Sequence, residues 1–131
     1  MSDDFSFTDV DIDSAVDMKT VPEAEYNLTI TEIEPNKEKF YVLTTMNIEG
    51  QDEFTRDVRN FVFFPKPGDD SKKINNKLVM IRDFCKAFGI EGEDRKNPTS
   101  WVGKRGSAIL SEGDNPPYGM QNEVKKLVLP A

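Results

Sequence analysis

The stretch SKKINNKLVMIRDFCKAF, residues 71–88, has the clearest helical periodicity in the sequence. Its apolar residues recur at steps of four, three, four and three, and this spacing lines one face of an α-helix. Asp70 or Ser71 can cap the amino end, and Gly89 follows where a left-handed C-cap is expected. The sequence therefore predicts one amphipathic helix over residues 71–88. Its predicted apolar face consists of Ile74, Leu78, Ile81, Cys85 and Phe88.

Segments of β-branched, aromatic and alternating composition lie on both sides of this helix. Pro35 and Asn36 are expected to form the first turn between them. The order of three strands, one helix and two strands predicts a mainly β fold, a five-stranded OB-fold Greek-key barrel with one α-helix between strands 3 and 4. The predicted strands lie within residues 21–34, 39–49, 55–64, 103–111 and 122–130.

The third predicted strand, TRDVRNFVFF at residues 55–64, has apolar groups on both faces. One face carries Arg59, Phe61 and Phe63, and the other carries two valines and Phe64. Aromatic side chains that face outward beside an arginine are unfavourable unless a ligand stacks on them. Phe61 and Phe64, taken singly, are each expected in the core. Which face of strands 2 and 3 is exposed therefore stays open, because a shift of one residue exchanges the two sets.

The acidic residues are concentrated at the start of the 131-residue chain. Residues 1–19 carry a net charge of −5, and the other 18 acidic and 16 basic side chains carry −2. High net charge with little apolar surface is typical of disordered segments. We therefore expect a disordered acidic tail over residues 1–20 and a barrel domain over residues 21–131. A nearly neutral domain can still carry a basic groove.

Several classes of function are disfavoured by what the sequence lacks. Histidine, the commonest general base and metal ligand, is absent, and the single cysteine, Cys85, falls on the apolar helix face. The tail imitates a calcium loop only in part, since Ser14 replaces the turn glycine and Thr20 the glutamate. Met1 is followed by acidic residues, and no apolar run approaches the length of a membrane span. We expect an intracellular protein that is not an enzyme and has no metal or cofactor.

Aromatic and basic residues are interleaved in the predicted strands and loops. Single strands of nucleic acid require this composition, because bases stack on aromatic faces and cations neutralise the phosphates. Trp101 could equally fill the end of the barrel. The candidate nucleic-acid contacts are Lys37, Lys39, Tyr41, Arg56, Arg59, Phe61, Phe63, Trp101, Lys104, Arg105, Tyr118, Lys125 and Lys126.

Several runs resemble a known family. They are VPEAEYNLTITEIEPNK, RNFVFFPKPGDD with INNKLVMIRDFCKAFGI, and WVGKRGSAIL with NEVKKLVLP. They look like the small OB-fold single-stranded DNA-binding proteins of tailed bacteriophages, and the resemblance covers about residues 21–130. It implies sequence-independent coating of single-stranded DNA in phage replication or recombination, without catalysis, in the cytoplasm of the infected bacterial host. The basic residues that match most directly are Lys104, Lys125 and Lys126.

The acidic tail differs from that family in its position. Many single-stranded DNA-binding proteins carry an acidic, aromatic segment at the C-terminus, whereas here it stands at the front. We expect it to compete with DNA for the basic groove and to recruit replication or recombination proteins. An inert solubilising extension is the alternative. The residues in this hypothesis are Asp3, Asp4, Phe5, Phe7, Asp9, Asp11 and Asp13.

Two other functions remain open at this point. A protein-interaction or virion-associated module on the same barrel, without DNA binding, fits the −2 charge of the body and the acidic loop near Glu91. An enzyme would need a cluster of carboxylates that holds a metal only after folding. The spacing of the acidic residues does not indicate such a cluster.

Overall fold

The computed structural model describes residues 8–130. Its regular elements are β1 (Ala24–Asn36), β2 (Tyr41–Ile48), β3 (Val58–Phe63), α1 (Ser71–Ala87), β4 (Arg105–Asp114) and β5 (Met120–Val128). Short 3-10 helices lie at Ile12–Ser14, Gly92–Lys96 and Pro98–Trp101. The predicted order of three strands, one helix and two strands is confirmed, and the fold is mainly β.

The five strands form one antiparallel sheet in the order β3-β2-β1-β4-β5. The register shifts between Ile30 and Glu32 on β1, and again at Ile109 and Leu110 where β4 pairs with β5. Such irregularities bend strands and increase their twist. The sheet curls into a nearly closed barrel in which the two edge strands, β3 and β5, approach each other. In the described structure no hydrogen-bonded ladder joins these two strands.

The first turn lies slightly later in the chain than predicted. Pro35 and Asn36 belong to β1 and pair with Val42 and Tyr41 of β2, and the turn occupies residues 37–40. A proline fits here because the pairing of β1 with β4 ends at Thr29, so no second ladder needs the missing N–H.

Helix α1 lies against the barrel with its carboxyl-terminal half. Asp70 caps its amino end, its Oδ1 accepting a hydrogen bond from the N–H of Lys73 at 2.8 Å. Gly89 has φ +64°, and the N–H of Ile90 donates to the carbonyl of Cys85 at 2.8 Å, so both predicted caps are confirmed. Leu78 was predicted on the buried face but is 51% exposed. The buried residues of the helix are Ile81, Phe84 and Cys85, so the buried face is rotated toward Phe84 and away from Leu78.

Gly106 marks the point where α1 meets β4. A Cβ atom at this position would lie 2.5 Å from the carbonyl oxygen of Ala87 and 2.9 Å from Cδ1 of Phe88. The absence of a side chain therefore lets the end of the helix approach the strand closely. The buried core of the described residues contains Val21, Leu28, Ile30, Val42, Met46, Ile48, Val58, Val62, Ile81, Phe84, Cys85, Phe88, Ile90, Trp101, Ala108 and Leu110.

The chain joins the barrel just before β1. Lys19 forms a parallel bridge with Thr55, and its N–H donates to the carbonyl of Phe54 at 2.9 Å. The N–H and carbonyl of Val21 both hydrogen-bond the buried amide of Asn122, at 2.9 and 2.8 Å. Residues 8–18 are exposed.

Candidate functional site

The pleat of β3 directs one set of its side chains outward. Val58 and Val62 are buried, whereas Phe61 and Phe63 are 49% and 50% exposed. Arg59 shares the outward face and is also exposed. The expectation that Phe61 fills the core is therefore wrong, because the β3 register turns it away from the barrel interior.

Three aromatic rings meet on the outer face of β2 and β3. Tyr41 pairs with Phe63 across the two strands, and Leu43 pairs with Phe61. The ring centroid of Tyr41 lies 5.1 Å from that of Phe61 and 6.0 Å from that of Phe63, with edge-on geometry. Phe61 and Phe63 are stacked at 5.9 Å. We call Tyr41, Phe61 and Phe63 the outer aromatic cluster.

A hollow of about 550 Å³ extends from this cluster toward the β4–β5 loop. It mixes aromatic, amide and charged groups, and Arg59 and Glu123 are its two charged residues. We call it the outer groove. Its lining consists of Leu43, Arg59, Asn60, Phe61, Phe63, Asn115, Tyr118, Gln121, Glu123 and Val124.

The β4–β5 loop holds Tyr118 at the edge of the outer groove. The N–H of Tyr118 donates to the carbonyl of Asn115 at 2.7 Å, and the N–H of Asn115 donates to the carbonyl of Gly119 at 2.9 Å. The side chain of Asn115 donates to Glu123 Oε1 at 2.9 Å. The loop is therefore anchored to β5, while the Tyr118 ring is 70% exposed.

The β1–β2 turn carries the exposed residues Lys37 and Lys39. The N–H of Lys39 donates to Asn36 Oδ1 at 2.9 Å. Phe40 takes φ +56°, a conformation uncommon for residues other than glycine. Its carbonyl accepts from the N–H of Phe64 at 2.8 Å, so the turn is tied to the end of β3 beside the outer aromatic cluster.

A second hollow, of about 520 Å³, lies where the barrel wall is open between β3 and β5. Helix α1 forms its third side. We call it the β3–β5 slot. It is lined by Asn60, Phe61, Val62 and Phe63 of β3, Asn76, Lys77, Met80, Asp83 and Phe84 of α1, and Val124, Lys125, Lys126, Leu127 and Leu129 of the last segment.

Trp101 was predicted as a nucleic-acid contact, and this prediction is wrong. Its side chain is 0% exposed, and its ring is stacked on Phe64 at a centroid distance of 6.4 Å and tilted against Phe84 at 5.4 Å. Its indole N–H donates to the carbonyl of Asp94 at 2.8 Å. Trp101 therefore fills the barrel, which was the alternative interpretation.

The predicted basic residues lie in different places. Lys125 and Lys126 line the β3–β5 slot, and Lys125 pairs with Glu23 at 3.1 Å. Arg105 pairs with Glu49 at 2.6 Å. Lys104 precedes β4, and its carbonyl accepts from the N–H of Ile30. The predicted basic residues outside the linings of both hollows are Lys37, Lys39, Arg56, Lys104 and Arg105.

The sequence did not indicate several residues that line these hollows. Leu43 and Gln121 lie in the outer groove, and Asn76, Lys77 and Met80 lie in the β3–β5 slot. The sequence offered one signal for the slot, which is that Met80 is apolar but lies outside the helical apolar repeat. The position of α1 beside β3 and β5 follows from packing between distant parts of the chain.

Three observations concern metal binding, thiol chemistry and membrane spans. Within residues 8–130, no group of three His, Cys, Asp or Glu side chains could hold a metal ion. Burial raises the pKa of the Cys85 thiol, which disfavours the reactive thiolate. None of the described helices has both the length and the apolar character needed to span a membrane.

The acidic tail residues are only partly described. Asp3, Asp4, Phe5 and Phe7 lie outside the described residues. Asp9, Asp11 and Asp13 are exposed.

Comparison with protein-family models found no match, and comparison with curated proteins found none either.

Proposed function

We propose that the barrel is an OB-fold and that it coats single-stranded DNA without sequence specificity. The observation that carries this proposal is the outer aromatic cluster, in which Phe61 and Phe63 leave about half of their surfaces in solvent. Exposed rings of this kind stack on bases of any sequence. The resemblance of the sequence to phage proteins supports a role in phage DNA replication or recombination.

The position of the site on the barrel supports the same function. OB-folds bind oligonucleotides on the face of strands 2 and 3, between the 1–2 and 4–5 loops. Here β2 and β3 carry the outer aromatic cluster, the β1–β2 turn carries Lys37 and Lys39, and the β4–β5 loop carries Tyr118. A strand laid across this face would meet rings in the middle and a polar loop at each end.

The charges available to phosphates are few. Four basic side chains near the outer groove and the slot make no ion pair in the described part of the chain. They are Lys37, Lys39, Arg59 and Lys126. If all four contact phosphates, the slope of log K against log salt is about −3 for a single strand. Stacking therefore supplies a large share of the affinity.

Fluorescence anisotropy of a labelled oligo(dT) at roughly 50 and 300 mM salt tests the proposal, with duplex of equal length as the control. We expect binding to oligo(dT) that weakens with salt, and little binding to duplex. Equal affinity for both forms of DNA would contradict coating of single strands.

The acidic segment before the barrel is proposed to compete with DNA and to recruit replication or recombination proteins. The position of this segment supports the proposal. Lys19, at its end, bridges Thr55, which lies only three residues before the start of β3, so the segment is held close to the proposed DNA-binding face. Deletion of residues 2–18 leaves Lys19 and its 2.6 Å pair with Asp52 in place. We expect tighter oligo(dT) binding at low salt after this deletion. Unchanged affinity would contradict competition.

A protein-interaction module without DNA binding is the second candidate. It is favoured by the outer groove, in which the charges of Arg59 and Glu123 balance. Absence of oligo(dT) binding at low salt, by both the full chain and the chain lacking residues 2–18, would favour this candidate.

A further inference from the structure

We propose that the β3–β5 slot holds one nucleobase of the bound strand, so that the strand leaves the outer face of the barrel and crosses the open wall onto α1. This inference rests on the proposed function. It names a base-binding site beyond the face of β2 and β3.

The slot and the outer groove are adjacent. Both are lined by Asn60, Phe61, Phe63 and Val124, so these residues of β3 and β5 form the boundary between them. A strand stacked on the outer aromatic cluster therefore passes directly to the mouth of the slot. The volume of the slot, about 520 Å³, falls in the usual range for small-molecule sites.

The lining of the slot suits a flat base. Phe61 of β3, Met80 of α1 and Leu127 of β5 supply apolar contacts from three sides. Asn60 and Asn76 add amide groups, and neither side chain makes a hydrogen bond within the described structure. Amides can donate to and accept from the edge of a base, which an entirely apolar pocket cannot do.

The charge of the lining favours an anionic ligand over a basic or neutral peptide. Three lysines and one aspartate line the slot, for a net charge of +2, whereas the charges of the outer groove cancel. Lys77 and Lys125 are held by Asp69 and Glu23, and Asp83 by Arg82. Lys126 has no ion pair in the described residues and is the natural partner of a phosphate. In a chain of net charge −7, such a cationic lining is a local exception.

Met80 and Leu78 provide a matched pair of substitutions. Both lie on α1 and are exposed, by 64% and 51%, but only Met80 lines the slot. We expect Met80→Glu to weaken oligo(dT) binding by about tenfold, the loss of one stacked base. Leu78→Glu makes the same charge change and should alter the affinity less than about twofold, as should Met80→Leu, which keeps the apolar rim. Equal losses for Met80→Glu and Leu78→Glu would overturn the inference.

Photo-cross-linking of the unaltered chain provides a test that does not depend on a variant folding. Oligo(dT) containing 5-iodouracil is irradiated with the protein, and the labelled peptides are identified by mass spectrometry. Labels on α1 or on residues 125–129 support the slot, because Val124 also lines the outer groove. Absence of label from both segments overturns it. If no label is found on these segments but oligo(dT) still binds and Phe61→Ala weakens that binding, only the slot is contradicted and the proposed function stands. Absence of oligo(dT) binding contradicts both proposals.

Discussion

Within residues 8–130, two aromatic clusters differ in exposure but not in chemistry. The outer aromatic cluster has ring separations of 5.1–6.0 Å. An inner aromatic cluster of Phe64, Phe84, Phe88 and Trp101 has separations of 4.7–6.4 Å. Phe84, Phe88 and Trp101 are at most 2% exposed, whereas Phe61 and Phe63 are about half exposed.

Residues adjacent in sequence take part in different clusters. Phe63 lies in the outer cluster, and Phe64 lies against Trp101 in the inner one. Successive side chains of an extended chain point to opposite faces, so one step along the chain changes the environment of the ring. The inner cluster stabilises the fold, and the outer one is available to a ligand. Substitutions can separate these roles.

The largest expected effect is on the inner cluster. Trp101→Ala should lower the free energy of unfolding by about 3 to 5 kcal/mol, because it removes a fully buried ring and leaves a cavity. Urea denaturation measures the change, and Trp101→Phe, which keeps a ring, should lose less. A loss below about 1 kcal/mol would contradict a structural role for Trp101.

The outer cluster should show the opposite behaviour. Phe61→Ala should weaken oligo(dT) binding by about 1 to 3 kcal/mol, the value of one stacked base. Its effect on unfolding should be about 1 kcal/mol or less, as for one cross-strand pair. The control is Leu78→Ala, a side chain of similar exposure outside both hollows. Equal affinity of these two variants in anisotropy titrations would contradict binding on the outer cluster.

The contact between β4 and α1, which lies beside Phe88 of the inner cluster, can be tested at Gly106. Gly106→Ala places a methyl group 2.5 Å from the Ala87 carbonyl, and we expect a cost of about 1 to 3 kcal/mol from overpacking. Gly113→Ala on the same strand meets no atom within 4 Å and serves as the control. Thermal unfolding of both variants measures the difference. Equal melting temperatures would show that the helix can move away without loss.

The smallest expected effect is at the connection that leads into α1. The Lys77 ammonium, at 2.7 Å, and the N–H of Lys66 hold the pKa of Asp69 below its usual value. A lowered pKa in the folded state contributes stability above the unfolded value, near pH 4, that is lost as the pH falls through the folded value. Asp69→Asn should therefore lower stability at neutral pH and flatten its decline in acid.

Urea denaturation between about pH 7 and 2 checks this behaviour across the ordinary titration range of aspartate. The exposed Asp9, substituted in the same way, is the control, since it makes no ion pair in the described part of the chain. Identical pH profiles for the two variants would contradict a role for the Asp69–Lys77 pair.

Local patterns predicted much of the fold. The helix, both of its caps and the order of the elements follow from residues close together in sequence, such as Asp70 and Gly89. The sequence also identified Arg59, Phe61 and Phe63 as one face. It could not identify that face as the outer one, because both faces of the strand carry apolar groups.

The candidate site was less predictable than the fold. Trp101 stands beside Lys104 and Arg105 in sequence, which suggested a surface cluster, but its ring is buried between Phe64 and Phe84. Leu78 follows the helical repeat yet remains exposed, because the buried face of α1 is rotated toward Phe84. Met80 and Lys77 come to line the slot because the helix packs beside strands far away in sequence.

The sequence by itself determined the helix, its ends, the approximate strands and the two-sided character of β3, because periodicity, capping and turn chemistry act over a few residues. The tertiary structure alone decided which aromatic residues face solvent, where α1 lies and how β3 and β5 leave an open slot. Those features depend on the register between strands and on contacts between distant segments. A one-residue difference in that register would exchange the two faces of β3 and with them the residues available to a ligand.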